Sequence, residues 1–204
     1  MREIEAEGGC ALAIKADSAE INAVKGAVDQ TVKTFGRLDV LVNNAAIMRP
    51  GTIFDYSSDD LDEMITVNIK SVFIVIQEAV RHMTEGGRII NIGSVSSDYM
   101  PIAGGAVYSM TKGAVASLTR GLARDLGPRG ITVNNIQPGR IDTELFRDVL
   151  ASVNGERANT VRSAIAVQRF GTSDEVAGLV AYLASKEAGY VTGASLKIDG
   201  GTTA

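Results

Sequence analysis

The chain has 204 residues, 45% of them hydrophobic, and a formal net charge of −4. That length accommodates one domain with a sizeable core, and an acidic balance without basic runs argues against nucleic acid as a partner. No apolar stretch approaches the roughly 18 residues of a membrane-spanning helix, and no signal-peptide pattern follows Met1, so a cytoplasmic protein without membrane contact is expected.

The predicted elements alternate strand and helix, the pattern of a parallel sheet. CALAIKAD, residues 10–17, reads as the first strand. Its cysteine, Cys10, has no second cysteine to pair with and is expected to pack in the core. A helix follows over 19–35, with Ile21, Val24, Val28, Val32 and Phe35 on one face, and Asp17 and Ser18 compete to cap its start. LDVLV then forms a strand that ends in Asn43 and Asn44. The next helix spans about 58–83. Asp59, Asp60, Asp62 and Glu63 at its start complement the helix dipole rather than bind metal. Val72, Phe73, Ile74, Val75 and Ile76 make its middle apolar all round, which predicts burial on several sides.

RIINIG is the third strand-like run and leads into Ser94. After the flexible stretch MPIAGG, a helix carries Tyr108 and stops at Gly127-Pro128. ITVNNIQ is the next strand, closed by a Pro138-Gly139 turn. Residues 140–171 are polar and irregular, lie just beyond a strand's carboxyl end, and read as a substrate lid. A capped helix over 173–184 and the strand SLKID complete the chain.

Tyr108 and Lys112 stand four residues apart, so a helix projects them side by side. A phenol titrates near about 10, and a neighbouring ammonium favours its ionised form. Lys112 is therefore expected to lower the Tyr108 pKa, making it a proton donor and acceptor, with the Ser94 hydroxyl holding a carbonyl oxygen beside it. Three predicted strands finish in Asn43-Asn44-Ala45-Ala46, in Ser94 and in Pro138-Gly139, and open parallel sheets bind ligands beyond such carboxyl ends. His82 is the only histidine, expected to be solvated, and a Ser-His-Asp hydrolase built on Ser94 lacks a suitable base. No Cys/His cluster offers a metal site.

With these residues in place, the chain resembles the short-chain dehydrogenase/reductase family, in particular bacterial 3-oxoacyl-carrier-protein reductases and their relatives. The matching segments are Asp17, Asn43-Asn44-Ala45-Ala46, Asn68, Ser94, Tyr108 with Lys112, Pro138-Gly139 and TGASLKIDGG at 192–201, in family order. The resemblance implies a single α/β domain over 1–204, a Rossmann-like doubly wound parallel sheet. It implies an NAD- or NADP-dependent enzyme acting on a small-molecule carbonyl or alcohol. Catalysis would fall to Asn68, Ser94, Tyr108 and Lys112, with the backbone of Asn68 holding a water that leads to Lys112. Cofactor contacts would come from Asp17 at the adenine, from Asn44, Ala45, Tyr108 and Lys112, and from Pro138, Gly139, Ile141 and Thr143 near the nicotinamide. No metal is implied, and relatives assemble as homodimers or homotetramers, here through Leu118, Leu122 and Leu126 and the apolar helix at Val72.

The sequence also departs from the family. Its glycine-rich turn T-G-x-x-x-G-x-G is missing, as if roughly the first 45–50 residues were absent. In the order 3-2-1-4-5-6, residues 10–17 and LDVLV are then separated by two missing strands. The chain is expected to close 10–17 onto LDVLV, to oligomerise, or to misfold at an exposed edge. The alternative function is a catalytically inactive remnant serving as a binding or oligomerisation module. Ala46 stands where glycine is usual, Gly93 where serine is common, and the Ser94–Tyr108 spacing is one residue long, leaving Ser96 and Ser97 as spare hydroxyls. Arg147, Arg157, Arg162 and Arg169 are a slight pointer to an anionic substrate.

Overall fold

Four apolar runs form one wholly parallel sheet, in the order β1 (Val40–Asn43), β2 (Arg88–Ile92), β3 (Thr132–Pro138) and β4 (Ser195–Ile198). These elements come from a computed structural model that describes residues 1–143 and 161–204. The connections are α2 (Ile21–Phe35) after the short α1 (Arg2–Ala6), then α3 (Ser58–Ile65) and α4 (Ser71–Ala79), then α5 (Ala106–Leu126) and α6 (Ser173–Ala184). Strands buried on both faces need apolar residues at consecutive positions. Ile89 and Ile90, adjacent in β2, accordingly serve opposite cores, as the pleat requires. On one face Val72 and Ile76 of α4 and Leu126 of α5 meet Ile89 and Val133. On the other, Leu183 of α6 meets Ile90 and Ile136, with Val176, Leu179 and Val180 packed alongside.

Residues 10–17 form no strand, contrary to the sequence reading. A strand exists only where a neighbour satisfies its N–H and C=O groups. Among the described residues no segment lies between this run and β1 to pair with either, and the run does not join the sheet at β1. Cys10 is consequently exposed rather than in the core, and Leu12 is half-exposed. Val40 and Val42 of the edge strand β1 are 36% and 41% exposed.

The helix expected over 58–83 is interrupted: Thr66–Lys70 form a π turn between α3 and α4, and α4 ends at Ala79. Along the leucine stripe of α5, Leu126 is buried and Leu118 and Leu122 are partly buried against the same core. His82 is half-buried, its Nε2 lying 3.8 Å from Asp29 of α2, not solvated beside Arg81. The acidic run opens α3 as expected, with the Ser57 hydroxyl accepting from the Asp60 N–H and Glu63 paired to Arg49.

Most of the expected lid, including Arg147 and Arg157, lies outside the described residues. At its described ends Ile141 bridges to Gly171, and Ile165 is buried. Arg169 forms a two-point ion pair with Glu175, and Arg162 sits 5.4 Å over the Phe170 ring. Glu175 also completes a reciprocal cap with Thr172 at the start of α6.

Candidate active site

Helix α5 begins just after Gly105, so Tyr108 falls in its first turn and Lys112 one turn further on. Ser94 follows β2 in extended backbone and caps a single 3-10 turn, its Oγ accepting from the Ser96 N–H. These elements converge at the carboxyl end of the sheet. Ser94 and Tyr108 line one cavity of about 550 Å³, together with Gly139, Ile141 and Thr143. Asn44, Ile92, Pro138, Ile141 and Thr143 line a second, of about 540 Å³, between the sheet and α6. Asp17 lies outside both; its carboxylate accepts from the Ala19 N–H in a local turn before α2 rather than capping the helix itself.

The electrostatics differ from the sequence expectation. Burial pushes the Tyr108 phenol above its ordinary pKa, and a hydrogen bond with Ser94 offsets only part of that rise. Lys112 Nζ stands 5.7 Å from the Tyr108 ring centroid and donates to the Ile92 carbonyl at 2.8 Å. Burial lowers its own pKa to about 8. Desolvation of the phenol therefore outweighs the Ser94 hydrogen bond, so Tyr108 is a protonated donor at neutral pH.

Asn68 occupies the π turn, and the turn explains a poor helix former in an apolar helix. Its amide makes a two-point clamp on Ile47, with Ile47 N donating to Oδ1 and Nδ2 donating to Ile47 O, both at 2.9 Å. The same Nδ2 reaches Thr111 Oγ1 at 3.2 Å, and that hydroxyl donates to the Tyr108 carbonyl. Asn68 thus fixes the segment after Asn44 and Ala45 and ties it to the helix that carries Tyr108.

Thr111, fully buried, escaped the sequence reading. Its only signal was a hydroxyl one residue before Lys112. A polar row across the sheet also went unseen. Asn43, Asn91, Asn135 and Ser195 are in register; Asn43 donates to Asn91, Asn91 to Thr119, and Asn135 to Ser195. The glycine at 93 is part of this arrangement, because a Cβ there would collide with Asn135 Oδ1. Ser97 is occupied elsewhere, its Oγ donating to the Ser94 carbonyl and accepting from Gln137, whereas Ser96 lines the same cavity as Ser94.

Gly139 has no room for a side chain, since a Cβ would lie 2.6 Å from Asp199 Cβ. Its backbone nevertheless lines the cavity beside Ser94 and Tyr108, where a planar ligand can approach it. A buried ammonium, the exposed amide of Asn44 and this bare turn suit nicotinamide with its ribose. Among the described residues no glycine-rich turn enters a helix N-terminus here, so the fit covers that half of a dinucleotide and not its pyrophosphate.

A family model described as Enoyl-(Acyl carrier protein) reductase matches residues 1–203. A short-chain dehydrogenase/reductase of Serratia marcescens is 52% identical, with a TM-score of 0.94, over 100% of this chain and 81% of that one. A Burkholderia cenocepacia short-chain dehydrogenase solved with NADP is 45% identical, with a TM-score of 0.93, over 100% and 81%. The Escherichia coli cyclic-di-GMP-binding biofilm dispersal mediator protein is 45% identical over 190 residues, 93% of this chain and 76% of its own length.

Proposed function

Because the chain belongs to the short-chain dehydrogenase/reductase family and is an NAD(P)-dependent oxidoreductase, we propose that it interconverts a small-molecule carbonyl compound and its alcohol with Tyr108 as the proton donor and acceptor. The observation that carries this reading is the meeting of the Ser94 and Tyr108 hydroxyls in one apolar-walled cavity, with the Lys112 ammonium buried behind the phenol.

The bound dinucleotide supplies or accepts the hydride. The protein's own part is to hold the substrate oxygen and move a proton. The carbonyl oxygen accepts from Ser94 Oγ and Tyr108 Oη. As negative charge develops on that oxygen, the proton on Tyr108 Oη passes to it and an alcohol forms. The phenolate left behind faces Ser94 and Lys112. The buried ammonium attracts the charge developing on the phenolate, without reorganisation at the moment of transfer. The Ile92 carbonyl anchors Lys112 in place, and Asn68 keeps the neighbouring loop and α5 in register. A raised phenol pKa favours the reducing direction at neutral pH, and alcohol oxidation gains as pH rises.

The same reading makes the protein a cytoplasmic homo-oligomer. No helix among the described residues is long and apolar enough to cross a membrane. Support for pairing through α4 and α5 comes from Phe73 and Met110, 43% and 49% exposed.

The test is NADPH- and NADH-coupled reduction of a panel of aldehydes and ketones by the wild-type chain and by Tyr108→Phe. Turnover by the variant should fall by a factor of roughly 10² to 10⁴, with an unchanged unfolding midpoint. A variant that keeps wild-type turnover refutes Tyr108 as the acid.

A further inference from the structure

Two cations line the cavity that holds Ser94 and Tyr108: Arg49 and Arg140. Arg49 is neutralised, since its guanidinium grips Glu63 through Nε at 2.9 Å and Nη2 at 3.1 Å, with Asp60 3.9 Å away. Arg140 is different. It is half-buried, directly follows the bare turn at Gly139, and pairs with no carboxylate among the described residues.

Among the described residues, Asp142 has a partner of its own, and Asp199 and Glu175 are engaged elsewhere. Asp199 packs against Gly139, yet its carboxylate turns away to accept from Gly201 N, Thr203 N and Thr203 Oγ1 at 2.8–3.0 Å. Glu175 is held by Arg169 and Thr172. The remaining wall is mostly apolar, with Ile47, Met48, Val95, Met100 and Ile102, and its polar groups are neutral hydroxyls such as those of Ser96 and Thr202. A partly desolvated guanidinium in an apolar wall is a costly arrangement unless something anionic completes it.

We infer that Arg140 is a specificity-determining residue that receives an anionic group of the substrate, so the preferred class is an apolar carbonyl compound bearing a carboxylate. This rests on the carbonyl-reductase reading above. The carbonyl sits at Ser94 and Tyr108, the apolar body lies along Met48, Met100 and Ile102, and the carboxylate reaches Arg140. Arg140 lines this cavity and not the second one, toward α6, where Asn44 and Pro138 stand. Because it shares the cavity of the Ser94 and Tyr108 hydroxyls, which hold the substrate oxygen, it is assigned to the substrate, although Gly139 beside it serves the nicotinamide.

The experiment compares 4-oxo-4-phenylbutanoate with its methyl ester, using wild type, Arg140→Gln and Arg140→Lys. Wild type should favour the acid in kcat/KM by about tenfold or more, mainly through KM, as a charge-assisted contact predicts. Arg140→Gln should erase that preference while leaving the ester and the KM for NADPH unchanged, and Arg140→Lys should restore part of it. Equal efficiency for acid and ester in wild type overturns the inference. So does an Arg140→Gln variant that loses both substrates equally or raises the KM for NADPH instead.

If neither ketone is reduced, calorimetric binding of the acid still decides. Loss of binding in Arg140→Gln upholds the anion site, and unchanged binding removes it. Failure of the carbonyl-reductase reading shows separately, as turnover that survives Tyr108→Phe.

Discussion

Lys112→Met probes the electrostatic centre of the site. The Lys112 pKa falls from 10.5 to about 8 because the folded protein buries the ammonium. The folded state therefore binds the Lys112 proton less tightly than the unfolded state does, and unfolding takes up a proton between about pH 8 and 10.5. Stability consequently rises with pH across that window. Below it, the full penalty of the buried charge is present. The difference in pKa corresponds to about 3 kcal/mol at pH 7, and about 2–3 kcal/mol of it is recovered by pH 10. Tyr108 acts in the opposite sense. Its raised pKa makes the unfolded state lose its proton first, so its contribution falls only above about pH 10. The chain has no tryptophan, so urea unfolding is followed by far-ultraviolet circular dichroism at pH 7, 8, 9 and 10. The wild-type free energy of unfolding should climb relative to that of Lys112→Met by about 2–3 kcal/mol over this range. Parallel pH profiles for the two proteins would refute the assignment of a buried, charged Lys112.

Asn68→Ala removes the clamp on Ile47 and the link to Thr111. Three lost hydrogen bonds predict a destabilisation of about 3 kcal/mol, read by urea unfolding, and a larger KM for the dinucleotide as the loop after Asn44 loosens. Gly139→Ala places a methyl group against the Asp199 backbone and side chain, so it should cost about 1–3 kcal/mol by overpacking and lower kcat/KM. On the proposed pairing through α4, Phe73→Asp should give a smaller sedimenting species by analytical ultracentrifugation while leaving the circular dichroism spectrum unchanged. An unaltered sedimentation coefficient would remove α4 from the interface.

Much of the sheet was legible because each strand carries β-branched and other apolar residues between turn signals, RIINI most nearly without a break. β1 to β4 are all found where VLVN, RIINI, TVNNIQP and SLKI stand. Residues 10–17 carry the same local signal and form nothing, since pairing depends on a neighbour and no neighbour is written into a local pattern. The leucines of α5 repeat at helical spacing whether they face a core or another subunit, and only the packed structure separates the two. Ser94, Tyr108 and Lys112 could be picked out because helix geometry and strand ends fix where they point. Thr111 could not, because a buried threonine in a helix looks like a surface one until its partners are known. The phenol's pKa went the other way from expectation for a related reason. Proximity of Lys112 follows from spacing, whereas the depth at which Tyr108 is buried depends on segments far away in sequence.

The π turn at Thr66–Lys70 amounts to one residue more than a regular α-helix needs, with the Ser71 N–H reaching back five residues to Thr66 O. Deleting a single residue such as Ile69 would let α3 and α4 merge into one uninterrupted helix with better backbone hydrogen bonds. It would also rotate the two segments by about 100° relative to each other. Either Asn68 would leave Ile47 or α4 would turn Val72 and Ile76 away from the sheet. The extra residue behaves as an inserted hinge that lets one helix satisfy two incompatible phases, one set by the core and one by the loop after Asn44. Shortening the chain there should be far less tolerated than any single substitution along the same helix.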